Sequence, residues 1–315
     1  MLLRVLTRAG TLVVSLVVAS VVVFAFMAVL PGDPARVALG VNATEQAVGI
    51  LRHQFGTDRS LPAQYASWIG GLLRGDLGTS YVSRAAIGPQ VSDRFGVTAW
   101  LVLAGMVVAV VLALPAGLLS AALHRRASGL ALSAVTQIGV AVPAFLAGIL
   151  LIAVFAVKLG WLPANGWIPP DQNPADFLRH MVLPAFALGV VQAAVLTRYV
   201  RSAVLEVMRQ DYIRTARAKG MTPYRALVRH GLRNAAIPVV TVLGLQLATL
   251  LIGAVVIERV FVIPGLGSLL LDAVANRDLL TVQDVVMLLV LAVLIVNAIV
   301  DLLYTVLDPR LRDSR

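Results

Sequence analysis

The sequence predicts an all-α membrane protein of six transmembrane helices with a small external helical cap. Three observations carry this. Of 315 residues, 59% are hydrophobic and only 13% are charged, about half the charge of an ordinary soluble domain. The mean hydropathy is +0.89, which leaves too little polar surface to clothe a soluble fold and too much apolar surface for disorder. The apolar residues also gather into charge-free runs near the roughly 20 residues that a bilayer core demands.

Those runs are Ala9–Leu30, Phe95–Leu123, Ala127–Val157, Met181–Thr197, Asn234–Ile257 and Val285–Leu307, the last interrupted only by Asp301. The first is too long for the apolar core of a signal peptide, and Pro31-Gly32-Asp33-Pro34 ends it as a helix stop. The third is longer than a bilayer needs and contains Pro143, so a kink or an extension past the interface is expected there. The fourth is short and continues as helix through Arg198–Met208. The chain therefore divides into 1–30 (N-terminus and first span), 31–94 (external helical segment) and 95–315 (five-helix core), the core including a cytoplasmic segment at 198–236.

Charge orients the spans. The formal net charge is +10. With both termini inside, segments 1–8, 124–126, 198–233 and 308–315 hold 16 basic and 4 acidic residues, while the outside segments hold 10 and 11. This bias predicts N-in and C-in. It clusters the basic residues on one membrane face, which argues against a nucleic-acid partner. With no cysteine, four dispersed histidines and no Gly-Lys of a phosphate loop, the sequence offers no catalytic group, metal set or nucleotide site of its own.

Within 31–94, Thr44 caps a helix carrying Ile50, Leu51 and Phe55. Leu61-Pro62 opens a second helix whose apolar face is Tyr65, Trp68, Ile69, Leu72 and Leu73. Gly75-Asp76-Leu77-Gly78 follows as a turn. A cap lying on the membrane and a docking surface for an external partner both fit this pattern.

In 198–236, Asp211 is the expected N-cap of a short helix ending at Lys219, with Gly220 in the left-handed position beyond it. Thr222 and Pro223 open a second short helix. That helix carries Tyr224, Leu227 and Val228 on one side and Arg225, Arg229 and Arg233 on another. The expected product is a two-helix corner whose tip, Met221 and Tyr224, is apolar and rimmed by arginine. A purely lipid-facing amphipathic helix is the plainer alternative. The arginine bias and the capping chemistry favour a docking element.

Asp211-Tyr212-Ile213-Arg214-Thr215-Ala216-Arg217-Ala218-Lys219-Gly220, followed by His230-Gly231-Leu232-Arg233-Asn234-Ala235, resembles the Glu-Ala-Ala…Gly loop of ABC-importer permeases in its dipeptide/oligopeptide form. Pro31-Gly32-Asp33-Pro34, Gly75-Asp76-Leu77-Gly78, Gly160-Trp161-Leu162-Pro163, Pro264-Gly265-Leu266-Gly267 and Asp308-Pro309-Arg310 extend the likeness along the whole chain. The sequence is similar to the B-type permease subunit of a dipeptide/oligopeptide ABC importer of the type I fold.

The resemblance implies a bacterial inner-membrane protein paired with a second, homologous permease subunit. It implies an external substrate-binding protein, and two cytoplasmic ATPase domains that carry the ATP and Mg. It gives Arg214, Thr215, Ala216, Arg217, Ala218, Lys219, Gly220, Met221 and Tyr224 the task of coupling to those ATPases. A cargo of nickel, glutathione or another small solute would leave the architecture unchanged.

Polar residues inside the spans are costly and often line a path or join helices. Gln137, Gln192, Gln246 and Asn297 fit either role, with Gln192 and Gln246 the pore-lining candidates. Asp301 fits pairing with a basic residue near the cytoplasmic face. Asp76, Glu258 and Gly265 are the candidate external contacts, although a plain structural turn at Pro264-Gly265 fits equally.

Overall fold

The computed structural model describes residues 2–30, 32–40, 43–124 and 126–307. Pro31 of the first motif and Asp308-Pro309-Arg310 lie outside them, as does the side chain of Asp301. The described residues form thirteen α-helices and no strand, only an isolated bridge between Thr79 and Ala86. The helices are α1 (Leu2–Val29), α2 (Pro34–Leu39), α3 (Glu45–Phe55), α4 (Leu61–Leu73), α5 (Ile87–Ala122), α6 (Ala127–Ala141) and α7 (Ala144–Leu151). They continue as α8 (Pro174–Met208), α9 (Asp211–Ala218), α10 (Pro223–Ala226), α11 (Leu232–Val260), α12 (Leu266–Ala275) and α13 (Leu279–Leu307). Five helices among the described residues are long and apolar enough to cross a membrane. They become six when the bent pair α6 and α7 counts as one span.

That pair refines the expected kink. Pro143 has no N–H to give the helix, and Val142 before it is extended, as a residue preceding proline prefers. The two halves meet at 99°. α7 then passes into a π-helical turn, Ile152–Lys158. The fourth span behaves as expected and runs unbroken through Met208.

The chain separates into two units that differ from its linear division. One comprises residues 1–98 and 264–295, the other 99–263 and 296–315. In the first, the Thr44 hydroxyl accepts from Ala47 N–H at 3.3 Å and starts α3 as expected. Ala35, Val48 and Leu51 pack α2 on α3. Asp33 caps α2 and pairs with Arg52 at 2.8 Å. α4 lies on α1 through Phe24, Tyr65 and Trp68, and Tyr65 OH shares a hydrogen bond with Ser20 Oγ at 2.8 Å. A second core joins Ile87 and Val91 to Leu266, Leu269 and Val285.

In the other unit α8 is the central helix, buried against α6, α7 and α11. Its core runs from Ala109 and Ala113 of α5 through Leu196 and Val200 to Ile213, Ala216, Ala226 and Leu227. The apolar sides of α9 and α10 thus belong to the same core as the spans. Large apolar side chains elsewhere point outward, among them Leu130, Val135 and Ile138 of α6, as helices facing lipid do.

Candidate functional site

The segment between α8 and α11 is built by capping chemistry. Gln210, not Asp211, is the residue before α9 and makes no side-chain cap. Asp211 instead takes the first helical position, where its carboxylate lies 3.3 Å from Arg214 Nη1 and faces the positive end of the helix dipole. The far end closes as a Schellman motif. Gly220 N–H donates to Arg217 C=O at 2.9 Å and Met221 N–H to Ala216 C=O at 3.3 Å. Gly220 has φ +91°, and nothing lies within 4 Å of where a Cβ would stand. Glycine is therefore required there for its backbone, not for space. The Thr222 hydroxyl accepts from Arg225 N–H at 3.3 Å and opens α10 with Pro223 in its first turn.

The second short helix is not a separate element. α10 runs through a π-helical turn, Leu227–Gly231, directly into α11. The corner is thereby the foot of the fifth span. It is fixed at two further points. A Cβ on Gly231 would stand 2.9 Å from both Leu227 Cδ1 and Val207 Cγ1 and 3.6 Å from Ile213 Cδ1, so side chains of α8, α9 and the π-helical turn close around that glycine. Asn234 Nδ2 donates to Tyr212 OH at 2.9 Å and ties α9 to the start of α11.

The candidate residues divide cleanly by exposure. Ala216 is buried, together with Ile213, while Arg214, Thr215, Arg217, Ala218, Lys219 and Gly220 face solvent. Tyr224 is 76% exposed. Met221 departs from the expected tip: it is half-buried and packs on the core beneath, the apolar contact that accompanies a Schellman turn. Val228 and Tyr224 form the outward apolar surface instead. They border a mostly apolar groove of about 760 Å³ that also takes in Leu118, Met208, Arg209 and Arg217.

The remaining candidates scatter. Gln192 is half-buried on α8. Gln246 is 4% exposed, with neither amide atom hydrogen-bonded, so in this conformation it opens onto almost no surface. Gln137 is exposed on α6 and Asn297 half-buried on α13. Asp76 is exposed, and its carboxylate accepts from Gly78 N–H at 2.8 Å. Glu258 and Gly265 need correction. Glu258 is fully buried near the end of α11 and Gly265 is buried as the residue capping α12. Neither presents an accessible surface here.

Sequence reasoning missed a polar cluster that anchors the 74–86 loop. Asp278, 5% exposed, accepts from Ser80 Oγ at 2.6 Å, Thr281 Oγ1 at 2.6 Å and Tyr81 N–H at 3.1 Å. Asp284 is fully buried and accepts from Trp68 Nε1 at 2.7 Å. Burial first, then the Asp284 and Asp278 carboxylates, pushes the Tyr81 phenol up to about 12. Two acids just ahead of the Val285–Leu307 run were the available signal.

Comparison with known proteins places this arrangement. The model of the binding-protein-dependent transport system inner membrane component matches residues 113–313, and that of its N-terminal part matches residues 1–102. The chain belongs to this family of transport permeases. It is 41% identical over 312 residues to the glutathione transport system permease protein GsiC of Escherichia coli K12, covering 99% of both chains. The GsiC proteins of Shigella dysenteriae and Salmonella choleraesuis match to the same extent. A crystal structure of an amino acid ABC transporter with histidines aligns with a TM-score of 0.51 at 16% identity, covering 69% of this chain and 93% of that one, and shares the fold. This chain is a multi-pass inner-membrane permease subunit of an ABC importer, not an enzyme, and the family works with ATPase and substrate-binding partners.

Proposed function

We propose that this permease forms half of a translocation path for short peptides, including the γ-linked tripeptide glutathione, and that the α9–α10 corner receives the ATPase stroke. A second, homologous permease supplies the other half. Two ATPase domains hold ATP and Mg, and an external binding protein delivers the cargo. Both termini lie in the cytoplasm, which puts 31–94 outside. Ser83→Cys in this cysteine-free chain should then react with an impermeant thiol reagent from the outside; labelling from the cytoplasm alone would reverse the orientation.

The coupling assignment rests on one observation: the corner is charged and exposed on one side and continuous with the core of the spans on the other. A docking face must move with the helices it drives. Ile213, Ala216 and Leu227 bind the corner to α8 and α11, while Arg214, Arg217, Lys219 and Tyr224 are exposed where a protein surface can meet them. Arginine suits such a face because its planar guanidinium binds carboxylates in two-pronged fashion. The chain itself makes and breaks no covalent bond in this scheme. ATP binding closes the ATPases and hydrolysis reopens them, and the corner converts that motion into tilting of the spans.

Arg217→Glu tests the assignment. Reversing one exposed charge at the rim should leave the permease folded, abolish most ATPase co-purification and stop transport. Trp68→Ala, on α4, should leave ATPase association intact. Equal ATPase recovery with Arg217→Glu and wild type would remove the corner from the docking surface. The cargo is tested separately by uptake of labelled dipeptide and glutathione into vesicles carrying the whole transporter.

A further inference from the structure

The first unit contains a cavity of about 530 Å³ bounded by α1, α3, α4, the 74–86 loop and the start of α13. Its volume falls within the range of small-molecule sites, and its chemistry is uneven in an informative way. Arg59, Arg74 and Arg84 all line it, and among the described residues none of the three is paired with a carboxylate. Arg59 and Arg74 lie along the bare backbone of Gly56 and Gly70, 3.6 and 3.5 Å from where a Cβ would be. Arg84 sits 4.7 Å over the ring of Phe55, which stacks on Tyr81 at 4.2 Å. The one carboxylate in the lining is Asp76.

The wall is also fixed in place. Arg84 holds a positive φ of 60°, unusual for a residue with a side chain. The loop bearing it is pinned by Asp278 through Ser80 and Tyr81. Three unpaired guanidiniums lining one cavity repel one another, and a bound anion relieves that cost.

We propose that this cavity binds a small zwitterionic carboxylate, the class to which short peptides belong. The carboxylate is held by Arg59, Arg74 and Arg84, the apolar portion lies on the Phe55 and Tyr81 rings, and the ammonium faces Asp76. Resting on the outside placement and peptide cargo proposed above, the inference gives the permease its own reception site for cargo before the membrane path. Every binding group belongs to this chain, so no partner is needed to complete it.

The test uses the full chain in lipid nanodiscs, with Ala-Phe, its C-terminal amide and glutathione as probes, read by calorimetry. Wild type should bind Ala-Phe and glutathione, and should bind the amide at least tenfold more weakly. Arg59→Gln with Arg74→Gln should weaken Ala-Phe at least tenfold. Both side chains are exposed, so the variant should melt as wild type does. Arg84→Gln alone should weaken it severalfold.

Absence of binding to wild type, or equal affinity for acid and amide, overturns the site. So does unchanged affinity in the double variant. If the double variant loses binding while the whole transporter still imports Ala-Phe with unchanged KM, the cavity is no reception site and the cargo reading survives. If the whole transporter imports neither probe, the cargo reading fails by itself.

Discussion

The α9–α10 corner and the 74–86 loop are both turns that need residues at positive φ, yet they are stabilised in opposite ways. The corner closes through bonds between residues three to five apart, Gly220 to Arg217 and Met221 to Ala216, over an apolar underside. The loop is held from about 200 positions away, by Asp278 on Ser80 and Tyr81, and α4 beside it by Asp284 on Trp68. Local caps and close packing make a stiff element that moves with its helices. Buried carboxylates holding hydroxyl, indole and backbone donors make an attachment whose strength depends on every partner being present.

The largest expected effect breaks the loop. Asp278→Ala leaves two hydroxyls and one backbone N–H without their acceptor in a buried place. At about 1–3 kcal/mol for each unsatisfied group, the local cost is about 3 kcal/mol or more. Trypsin should then cut at Arg84 much faster in the variant, while ATPase co-purification stays at the wild-type level. Unchanged cleavage would mean that the loop is held by its own turn instead of by Asp278.

The corner should respond more modestly and in a different assay. Gly220→Val forces a β-branched residue to φ +91° and costs about 1–3 kcal/mol. No atom lies near the new side chain, so all of that cost is backbone strain. Gly220→Asn, which tolerates positive φ better, should recover part of the function. The valine variant should insert and melt nearly as wild type does, yet recover less ATPase and transport poorly. Normal transport by Gly220→Val would show that the corner's conformation does not matter for coupling.

The same contrast explains what the sequence discloses. Thr44, Gly220, Thr222 and Pro223 signal their structure within four residues of themselves, and α3, α4 and the corner form where those signals stand. The unbroken α8 was equally readable from its apolar length. Periodicity alone puts Met221 at the tip, whereas a Schellman turn folds the residue after its glycine back onto the helix. α10 looked independent because a proline at a helix start is also how a long helix begins. Glu258 reads as accessible because it is a charge beside a turn, yet it is fully buried. Asp278 and Asp284 carry no local signal of their role, since their partners Ser80, Tyr81 and Trp68 are distant in sequence.

The smallest effect sharpens the comparison at a single atom. If the loop is enclosed by carboxylates and the corner is not, Tyr81 should be the tyrosine that records it. Its phenol is pushed up to about 12, mainly by burial and then by Asp284 and Asp278, because ionising it would place a further negative charge beside those two carboxylates. The sign follows directly. Below pH 10 the phenol is neutral in both folded and unfolded chains and contributes nothing that depends on pH. Between about 10 and about 12 the unfolded chain loses the proton and the folded chain keeps it, so stability falls as pH rises through that window. Phenolate absorbance should show one of the six tyrosines titrating near 12, a step absent from Tyr81→Phe. Asp278→Ala, by loosening the loop and removing one of the two charges, should move that step back toward 10. A Tyr81 that titrates at 10 in the wild-type chain would mean that water reaches the loop, and the buried-carboxylate account of its attachment would have to be abandoned.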